Sequence, residues 1–377
     1  MSADRRVQPA EASPRSPGHS RSPGEPVLEI ADLSVVYRTA AGDVRAVNQV
    51  SLDLWAGEVV GLVGESGSGK STLAYGACRL LRAPALITGG TVRYHGPRMM
   101  CPVDILELTP SQLTNLRWRE IAIVFQSAMN ALNPVLNVRD QMLDVIHAHL
   151  PVSRDEAMDK VSSLLDLVRI PRSRLRSYPH ELSGGMRQRV MIAMALATEP
   201  QIVIMDEPTT ALDVVVQRDI LAQIAELRER LGFSILFITH DLSLLLEFAD
   251  RIAVMYAGRL LEIATAVDIH HQAAHPYTMG LLNSFPSLHG PRRDLAGIPG
   301  SPPDLLNPPP GCPFMPRCGY SRPACAEVDM SLTSVTSSTD PSHLTACPFV
   351  LPGASLPAGT ESLAMSVPEP GAEGVAP

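Results

Sequence analysis

Four short runs of apolar residues stand out in the middle of the chain. They occupy residues 58–63, 121–125, 201–205 and 234–239. Each run is rich in β-branched residues and nearly continuous in hydrophobicity, as strands buried on both faces must be. The pattern therefore predicts a parallel β-sheet at the core of the protein.

Helical patterns separate these predicted strands. Between the last two runs, four apolar residues recur on one helical face: Ile220, Ile224, Leu227 and Leu231. Gly232 follows them and is a typical residue at the end of a helix. The two strands and this helix make a βαβ unit. A further helical region is expected at about 137–177, where apolar residues again keep helical spacing: Met158, Val161, Leu164, Leu165 and Val168.

The two ends of the chain differ from this middle part in composition. Residues 1–26 are rich in Ser, Pro and Arg, and residues 351–377 are rich in Pro, Gly, Ala and Glu. Neither segment carries enough large apolar residues to offset the entropy that a chain loses when it becomes ordered. We expect both segments to be disordered tails.

Overall composition narrows the class of protein. The 377 residues carry 31 Lys and Arg against 39 Asp and Glu, a net charge of -8, with 45% hydrophobic and 19% charged residues. This composition is typical of a soluble protein with a large core. A net acidic chain repels phosphate backbones, so nucleic acid is not expected as a partner. No apolar stretch of about 18 residues and no signal-peptide pattern occurs, which predicts that the chain stays in the cytoplasm.

A glycine-rich loop follows the first predicted strand and precedes an apolar helix. It reads Gly-Glu-Ser-Gly-Ser-Gly-Lys-Ser-Thr at 64–72, a Walker A pattern in its usual context. Glycines let successive backbone N–H groups point at phosphate oxygens, at the positive end of the helix dipole. Lys70 is then expected to reach the β and γ phosphates, and Ser71 to ligate magnesium. The residues expected to bind the nucleotide here are Gly64, Glu65, Ser66, Gly67, Ser68, Gly69, Lys70, Ser71 and Thr72.

Two adjacent acids follow the third apolar run. Asp206 and Glu207 lie at the carboxyl edge of the predicted sheet, where open α/β folds bind ligands. The pair fits a Walker B element, although exposed turns often carry acids as well. In this interpretation Asp206 holds magnesium, and Glu207 orients and polarises the attacking water.

A third motif, Leu-Ser-Gly-Gly-Met-Arg-Gln-Arg, occupies residues 182–189 before a helical segment rich in Ala and Met. By itself it offers a hydroxyl and backbone donors to an anion, or simply caps the helix. Together with the two motifs above, it makes the sequence resemble an ATP-binding cassette (ABC) ATPase. In that family this signature contacts the γ phosphate bound by the opposite subunit. The resemblance thus implies two ATP molecules sandwiched between two such domains, with contacts from Ser183, Gly184 and Gly185.

Other elements of the family occur in order between about 27 and 264. Tyr37 resembles the aromatic residue that stacks on adenine, and Gln126 resembles the Q-loop glutamine that senses magnesium and the attacking water. Asp213 resembles the D-loop acid that communicates across the dimer, and His240 resembles the switch histidine that contacts the γ phosphate. The catalytic residues that the resemblance implies are Lys70, Gln126, Glu207 and His240. The implied magnesium ligands are Ser71, Gln126 and Asp206.

The region after the cassette narrows the resemblance further. It contains His-Pro-Tyr-Thr at 275–278, Ile-Pro-Gly-Ser-Pro-Pro at 298–303 and Pro-Gly-Cys-Pro-Phe-Met-Pro-Arg-Cys at 310–318. These segments resemble the C-terminal extension of the oligopeptide/dipeptide/nickel importer ATPases. The resemblance implies an α/β fold: a P-loop NTPase core of the ABC type with an antiparallel β subdomain, a helical subdomain and a Pro/Cys-rich extension. The expected division is a tail (1–26), the nucleotide-binding domain (27–264, with a helical insert at about 127–180), the extension (265–350) and a second tail (351–377).

Four of the six cysteines fall in this extension: Cys312, Cys318, Cys325 and Cys347. Cytoplasmic thiols are kept reduced, so clustered cysteines there indicate metal ligands more readily than disulfides. Four thiols suffice for one tetrahedral metal or one iron–sulfur cluster, but this spacing matches neither a zinc knuckle nor a ferredoxin motif. In some members of the importer family the pattern is associated with a [4Fe–4S] cluster, which the resemblance favours over zinc. Free thiols packed in a loop are the alternative, and the other two cysteines, Cys78 and Cys101, are interpreted as ordinary residues.

The resemblance implies an ATPase subunit that uses ATP and Mg²⁺ to energise the import of di- or oligopeptides, or of a related solute such as nickel. The implied partners are two membrane permease subunits, an extracytoplasmic solute-binding protein and a second ATPase subunit, commonly a paralogue. The chain is then expected at the cytoplasmic face of the membrane, bound to the permeases. The alternative class is a non-transport cassette ATPase that acts mechanically on a macromolecule.

Overall fold

The structure, a computed structural model, describes residues 26–96, 102–126, 131–210, 212–284, 297–335, 338 and 340–349. The two predicted tails, apart from Pro26, lie outside the described residues, and so does Cys101.

Strands and helices alternate along the described ranges. The strands are β1 (Leu28–Thr39), β2 (Gly42–Leu54), β3 (Val59–Val63), β4 (Ala85–Tyr94), β5 (Val103–Asp104), β6 (Ile121–Val124), β7 (Ile202–Asp206), β8 (Ser234–Thr239), β9 (Arg251–Tyr256), β10 (Arg259–Thr265), β11 (Thr333–Ser334) and β12 (Leu344–Thr345). The helices are α1 (Lys70–Ala77), α2 (Pro110–Leu116), α3 (Val138–His149), α4 (Arg154–Leu167), α5 (Gly184–Ala195), α6 (Val214–Leu231), α7 (Leu242–Phe248), α8 (Ala266–Gln272) and α9 (Pro276–Asn283). Short 3₁₀ segments lie at Arg172–Arg176, Pro179–Glu181, Met315–Arg317 and Pro323–Ala326.

The four apolar runs form neighbouring strands of the larger sheet. Its strand order is β11-β12-β10-β9-β3-β8-β7-β6. β6, β7, β8 and β3 pair in parallel, and β9 continues the parallel arrangement on the other side of β3. Every residue of β3, β7 and β8 is buried, which explains their continuous hydrophobicity. The predicted parallel core sheet is therefore confirmed.

The predicted βαβ unit is present as β7, α6 and β8. The buried face of α6 includes Ile220, Ile224 and Leu227, which pack against the core. Leu231 is 45% exposed, so the buried stripe ends one turn earlier than its spacing predicts. The helix stops at Gly232, whose φ of 77° lies in the left-handed region that glycine adopts without strain.

Helices α3 and α4 occupy the region where the sequence predicts packed helices. α4 begins with a capping box, because Ser153 Oγ accepts from the Glu156 N–H while the Glu156 carboxylate accepts from the Ser153 N–H. Its buried face consists of Ala157, Val161, Leu164 and Leu165. This face belongs to the same apolar cluster as the inner residues of α3 and α5.

A second, antiparallel sheet covers the opposite face of the core sheet. Its strand order is β2-β1-β4-β5. Alternate residues of β3 point to the two faces, with Val59 and Val63 in the cluster beneath the helices and Val60 and Leu62 in the cluster beneath the antiparallel sheet. The core sheet is thus buried on both faces. The loops that follow β3, β7 and β8 lie at its carboxyl edge.

The C-terminal extension is continuous with the core sheet. β12 pairs antiparallel with β10 through Leu344 and Thr345, and β11 pairs with β12. The extension therefore adds two short strands to the sheet edge beyond β10. It packs directly against the α/β core.

Candidate active site

The glycine-rich loop connects β3 to α1 at the carboxyl edge of the parallel strands. Gly64 has a φ of 157°, and Gly69 has a φ of 104°. A Cβ at Gly64 would lie 2.0 Å from the Met255 carbonyl oxygen, and one at Gly69 would lie 2.1 Å from the Ala46 carbonyl oxygen. Only glycine fits these two positions, and the loop can therefore wrap tightly before the N-terminus of α1.

Lys70, the first residue of α1, folds back over the loop. Its Nζ donates to the carbonyl oxygens of Gly64, at 2.8 Å, and of Glu65, at 2.9 Å. Burial lowers the pKa of Lys70, and the carboxylates of Glu207, Asp206 and Glu65 act in the opposite direction. A phosphate oxygen that replaced these carbonyls would receive a stronger, charge-assisted hydrogen bond. The ammonium group is therefore placed to move from the loop to an anionic ligand.

Asp206, the last residue of β7, is fully buried beside α1. Its Oδ1 accepts from Ser71 Oγ at 3.0 Å, and its Oδ2 accepts from the Tyr75 hydroxyl at 2.6 Å. Oxygen atoms, such as those of carboxylates and hydroxyls, are the ligands that Mg²⁺ prefers in proteins. The sequence analysis did not identify Tyr75 as a site residue. Its position four residues after Ser71, which places both side chains on one helical face, could have indicated it.

Glu207 has a backbone φ of 45°, which is uncommon for a residue with a side chain and marks a constrained position. Its carboxylate accepts from Thr210 Oγ1 at 2.8 Å and from Gln126 Nε2 at 3.4 Å. His240 Nδ1 lies 3.1 Å from the other carboxylate oxygen. The structure thus brings Gln126, Glu207 and His240 together, and it adds Thr210, which no sequence motif above identified.

The environment of Glu207 keeps its carboxylate ionised. Burial raises the pKa of Glu207, but the hydrogen bonds from Thr210 and His240 and the charges of His240 and Lys70 outweigh burial, so the pKa lies below its usual range. An ionised carboxylate can accept a hydrogen bond from a water molecule and orient it. The side chain is 16% exposed, so water can reach it.

Tyr37 reaches the far end of the loop from the antiparallel sheet. Its hydroxyl lies 3.1 Å from Thr72 Oγ1, and its side chain is only partly buried. The ring is therefore held beside the loop by β1 while part of its surface faces solvent.

The third motif lies apart from this cluster within one chain. Ser183 is the exposed N-cap of α5, and its Oγ accepts from the Met186 N–H. In the described part of the chain, no hydrogen bond joins Ser183, Gly184 or Gly185 to the loop at 64–72. Asp213 caps α6 by accepting from the N–H groups of Val215 and Val216. Ser183 is exposed at the first of these helix starts, and the apolar side chain of Val215 is 78% exposed at the second.

Two protein-family models match the sequence of this chain. The model of the ABC transporter domain matches residues 47–210, and the model of the oligopeptide/dipeptide transporter C-terminal region matches residues 261–325. The chain is 45% identical to the oligopeptide transport ATP-binding protein OppD of Salmonella typhimurium over 80% of this chain and 89% of that protein. It is also 45% identical to the dipeptide transport ATP-binding protein DppD of Bacillus subtilis, over 81% of this chain and 90% of that protein.

The chain belongs to the ATP-binding subunits of oligopeptide/dipeptide ABC transporters. The resemblance seen in the sequence is thereby confirmed. Subunits of this ABC type are ATPases that drive transport, and this chain is an ATPase of that type.

Solved structures agree with the ABC fold. The ATP-binding cassette MJ0796, in a dimeric post-hydrolysis state with ADP and phosphate, is 28% identical with a TM-score of 0.55, over 63% of this chain and 98% of that one. The subunit cbiO1 of the ABC transporter complex cbiONQ from Clostridium perfringens is 26% identical with a TM-score of 0.56, over 65% of this chain and 91% of that one. Among the described residues of this ABC subunit, no helix has the length and apolar character required to span a membrane.

The four cysteines of the extension line one cavity in this ABC subunit. The cavity is partly open to solvent, and its lining includes Cys312, Cys318, Cys325 and Cys347. Burial raises the pKa of Cys318 to about 11, and the other three thiols add to this shift. In the described ranges, no group of three or more His, Cys, Asp or Glu side chains is arranged to hold a metal ion. The cysteines therefore converge, although not in the arrangement of a single-ion site.

The extension also contacts the nucleotide loop of this ABC subunit. The Glu65 N–H donates to the Tyr277 hydroxyl at 2.9 Å, and the Glu65 carboxylate forms an ion pair with Arg317. Both partners were missed by the sequence analysis. They lie more than 200 residues away along the chain, and no local spacing could have indicated them.

Proposed function

We propose that this chain hydrolyses ATP to energise the import of di- or oligopeptides through a binding-protein-dependent ABC transporter. The observation that carries the proposal is the match of residues 261–325 to the oligopeptide/dipeptide transporter C-terminal region, downstream of an ABC domain. The names of the relatives, which include OppD and DppD, favour peptides over nickel as the solute. The extension also argues against the alternative of a non-transport cassette ATPase.

We propose the nucleotide roles from the resemblance to ABC ATPases together with the positions of the described side chains. The amides of the loop at 64–72 and the Lys70 ammonium bind the phosphates, and Tyr37 lies against the adenine. Ser71, Asp206 and Gln126 would hold Mg²⁺, which would neutralise charge on the phosphates. The Glu207 carboxylate accepts a hydrogen bond from water and directs it in line with the γ phosphate. His240 donates to the γ phosphate and is oriented by Glu207.

The exposed signature is proposed to complete the site of a second ATPase subunit. Ser183, Gly184 and Gly185 are separate from this chain's own loop, which leaves their donors available for a nucleotide held by another subunit. The start of α6, which Asp213 caps, lies against them: a Cβ at Gly185 would come within 2.7 Å of Val216 Cγ1. We propose a paralogue as the second subunit, with two permease subunits and an extracytoplasmic binding protein completing the transporter. The chain then lies at the cytoplasmic face of the membrane.

The cysteine cavity is proposed to hold a [4Fe–4S] cluster. Four thiols facing one cavity are the ligand set that such a cluster requires. A single zinc ion draws its four sulfurs to within about 4 Å of one another, because each Zn–S distance is about 2.3 Å. The resemblance of the extension to that of the importer ATPases, and not the geometry of the cavity, favours the cluster over zinc. A cluster there would fix the loops of the extension.

Metal analysis tests this proposal. Anaerobically purified protein is expected to contain about four iron and four sulfide per chain. Cys312→Ser is expected to lose the iron, whereas the control Cys78→Ala, at a buried thiol outside the cavity, keeps it. One zinc per chain, or no metal in any preparation, would contradict the cluster.

Solute uptake tests the transport proposal. A strain that lacks this chain is expected to lose uptake of labelled di- or oligopeptides, and expression of the wild-type chain is expected to restore it. Uptake of Ni²⁺ by the same strains serves as the comparison. Loss of Ni²⁺ uptake alone would contradict a peptide substrate, and unchanged uptake combined with co-purification of ribosomes or DNA would contradict transport.

A further inference from the structure

Glu65, the second residue of the nucleotide loop, is held by the C-terminal extension at two points. Its backbone N–H donates to the hydroxyl of Tyr277, which is completely buried in α9. Its carboxylate oxygens accept from Arg317 Nη1 at 2.8 Å and from Arg317 Nη2 at 3.0 Å. This two-pronged geometry is the strongest form of an arginine–carboxylate pair. The extension thus fixes both the backbone and the side chain of one loop residue.

Every N–H group of Arg317 has a partner. Besides the two bonds to Glu65, Nε donates to the Pro299 carbonyl at 2.7 Å, Nη2 to the Ile298 carbonyl at 3.3 Å, and Nη1 to the Tyr256 hydroxyl at 3.1 Å. These contacts account for the five donors of a guanidinium group. The side chain is only 6% exposed. Arg317 therefore holds a single geometry, which a flexible lysine could not reproduce.

The position of this ion pair matters because the loop receives phosphates. A carboxylate at Glu65 with no partner would repel a polyphosphate bound to the same loop. The Glu65 carbonyl also accepts from Lys70 Nζ, so a movement of Glu65 would displace the acceptor next to the phosphate-binding ammonium. Arg317 neutralises the carboxylate and holds the side chain, while the Tyr277 hydroxyl holds the backbone N–H of the same residue.

We infer that Arg317 is a positioning residue for ATP: through Glu65 it sets the shape and the charge of the phosphate-binding loop. The C-terminal extension is then part of the nucleotide site of its own chain. Arg317 acts on ATP affinity and leaves the water-orienting group at Glu207 unchanged. This inference rests on the proposed role of the loop in binding ATP.

The test measures the equilibrium affinity of full-length protein for ATP·Mg²⁺, together with kcat and KM. Arg317→Ala is expected to weaken ATP binding about tenfold or more, with a smaller change in kcat, because an unpaired carboxylate then faces the phosphates. Arg317→Lys is expected to restore only part of the affinity. In the double variant Arg317→Ala with Glu65→Gln, removal of the negative charge is expected to restore most of it.

Two comparisons separate this role from a purely structural one. The control Arg228→Ala removes an arginine whose partners, Asp250 and the Gly57 carbonyl, lie at the amino end of β3, and it is expected to leave ATP affinity unchanged. Should Arg317→Ala fail to fold, Arg317→Lys is measured in its place. It is expected to bind ATP more weakly than the wild type, because an ammonium group cannot reproduce the paired hydrogen bonds to Glu65.

Wild-type affinity in Arg317→Ala, or a double variant no better than Arg317→Ala, would overturn the inference. Wild-type affinity in Arg317→Lys would overturn the requirement for the arginine geometry as well. Lys70→Ala in the same assay distinguishes this failure from a failure of the proposed site. If Lys70→Ala binds ATP like the wild type, the proposed nucleotide site is wrong. If Lys70→Ala loses ATP binding while Arg317→Ala keeps it, the site stands and only the role of Arg317 is refuted.

Discussion

Glu207→Gln is expected to stop ATP hydrolysis while leaving ATP binding intact. The amide has the same shape as the carboxylate and can still contact Thr210 and His240, but it cannot act as the ionised acceptor that orients water. Loss of a general base costs about 100-fold to 10,000-fold in rate. The wild-type carboxylate is suited to this role because its hydrogen bonds and the charges of His240 and Lys70 hold its pKa below the usual range despite burial.

Two measurements on this variant belong together. Phosphate release per chain should fall by at least 100-fold, and the equilibrium affinity for ATP·Mg²⁺ should stay near that of the wild type. With ATP present, the variant should accumulate as a closed pair with its partner subunit, because the γ phosphate that joins the two halves is no longer removed. Glu226→Gln, an exposed glutamate on α6, is the matched control. Hydrolysis within tenfold of the wild type would refute Glu207 as the water-orienting residue.

Lys70→Ala is expected to have the opposite profile, because the step it impairs is nucleotide binding. Removing one partner of a buried, hydrogen-bonded charge pair costs about 2 to 5 kcal/mol. This is roughly a 30-fold to several-thousand-fold loss of ATP affinity. Hydrolysis at moderate ATP concentration should be lost as a consequence.

Stability distinguishes this effect from misfolding. Among the described residues, the hydrogen bonds of Lys70 Nζ all go to loop groups, and burial works against its charge, so Lys70→Ala should change the thermal unfolding midpoint little. Lys160→Ala is the control, since Lys160 pairs with Glu199 at the surface. ATP should raise the unfolding midpoint of the wild type and of the control, but not that of Lys70→Ala. Equal ATP-induced stabilisation in all three proteins would contradict the assignment.

Much of the fold was evident in the sequence because the decisive signals are local. Strands buried on both faces need continuous apolar runs, and each of the four runs is a strand of the parallel sheet. The carboxyl ends of neighbouring parallel strands meet at one edge, so motifs that follow β3, β7 and β8 had to converge there. For this reason Lys70, Asp206, Glu207 and His240 could be placed near one another before any coordinates were known.

The sequence by itself therefore determined the parallel core and the family, and it predicted the principal residues of the candidate nucleotide site. Tertiary structure alone revealed that β12 extends the core sheet, that four cysteines share one cavity, and that Arg317 holds Glu65 across 252 residues of chain. The physical reason is the range of the interactions. Hydrophobic periodicity and loop motifs involve only a few neighbouring residues. The contacts of the extension instead depend on how a Pro-rich segment without periodicity packs against the core sheet.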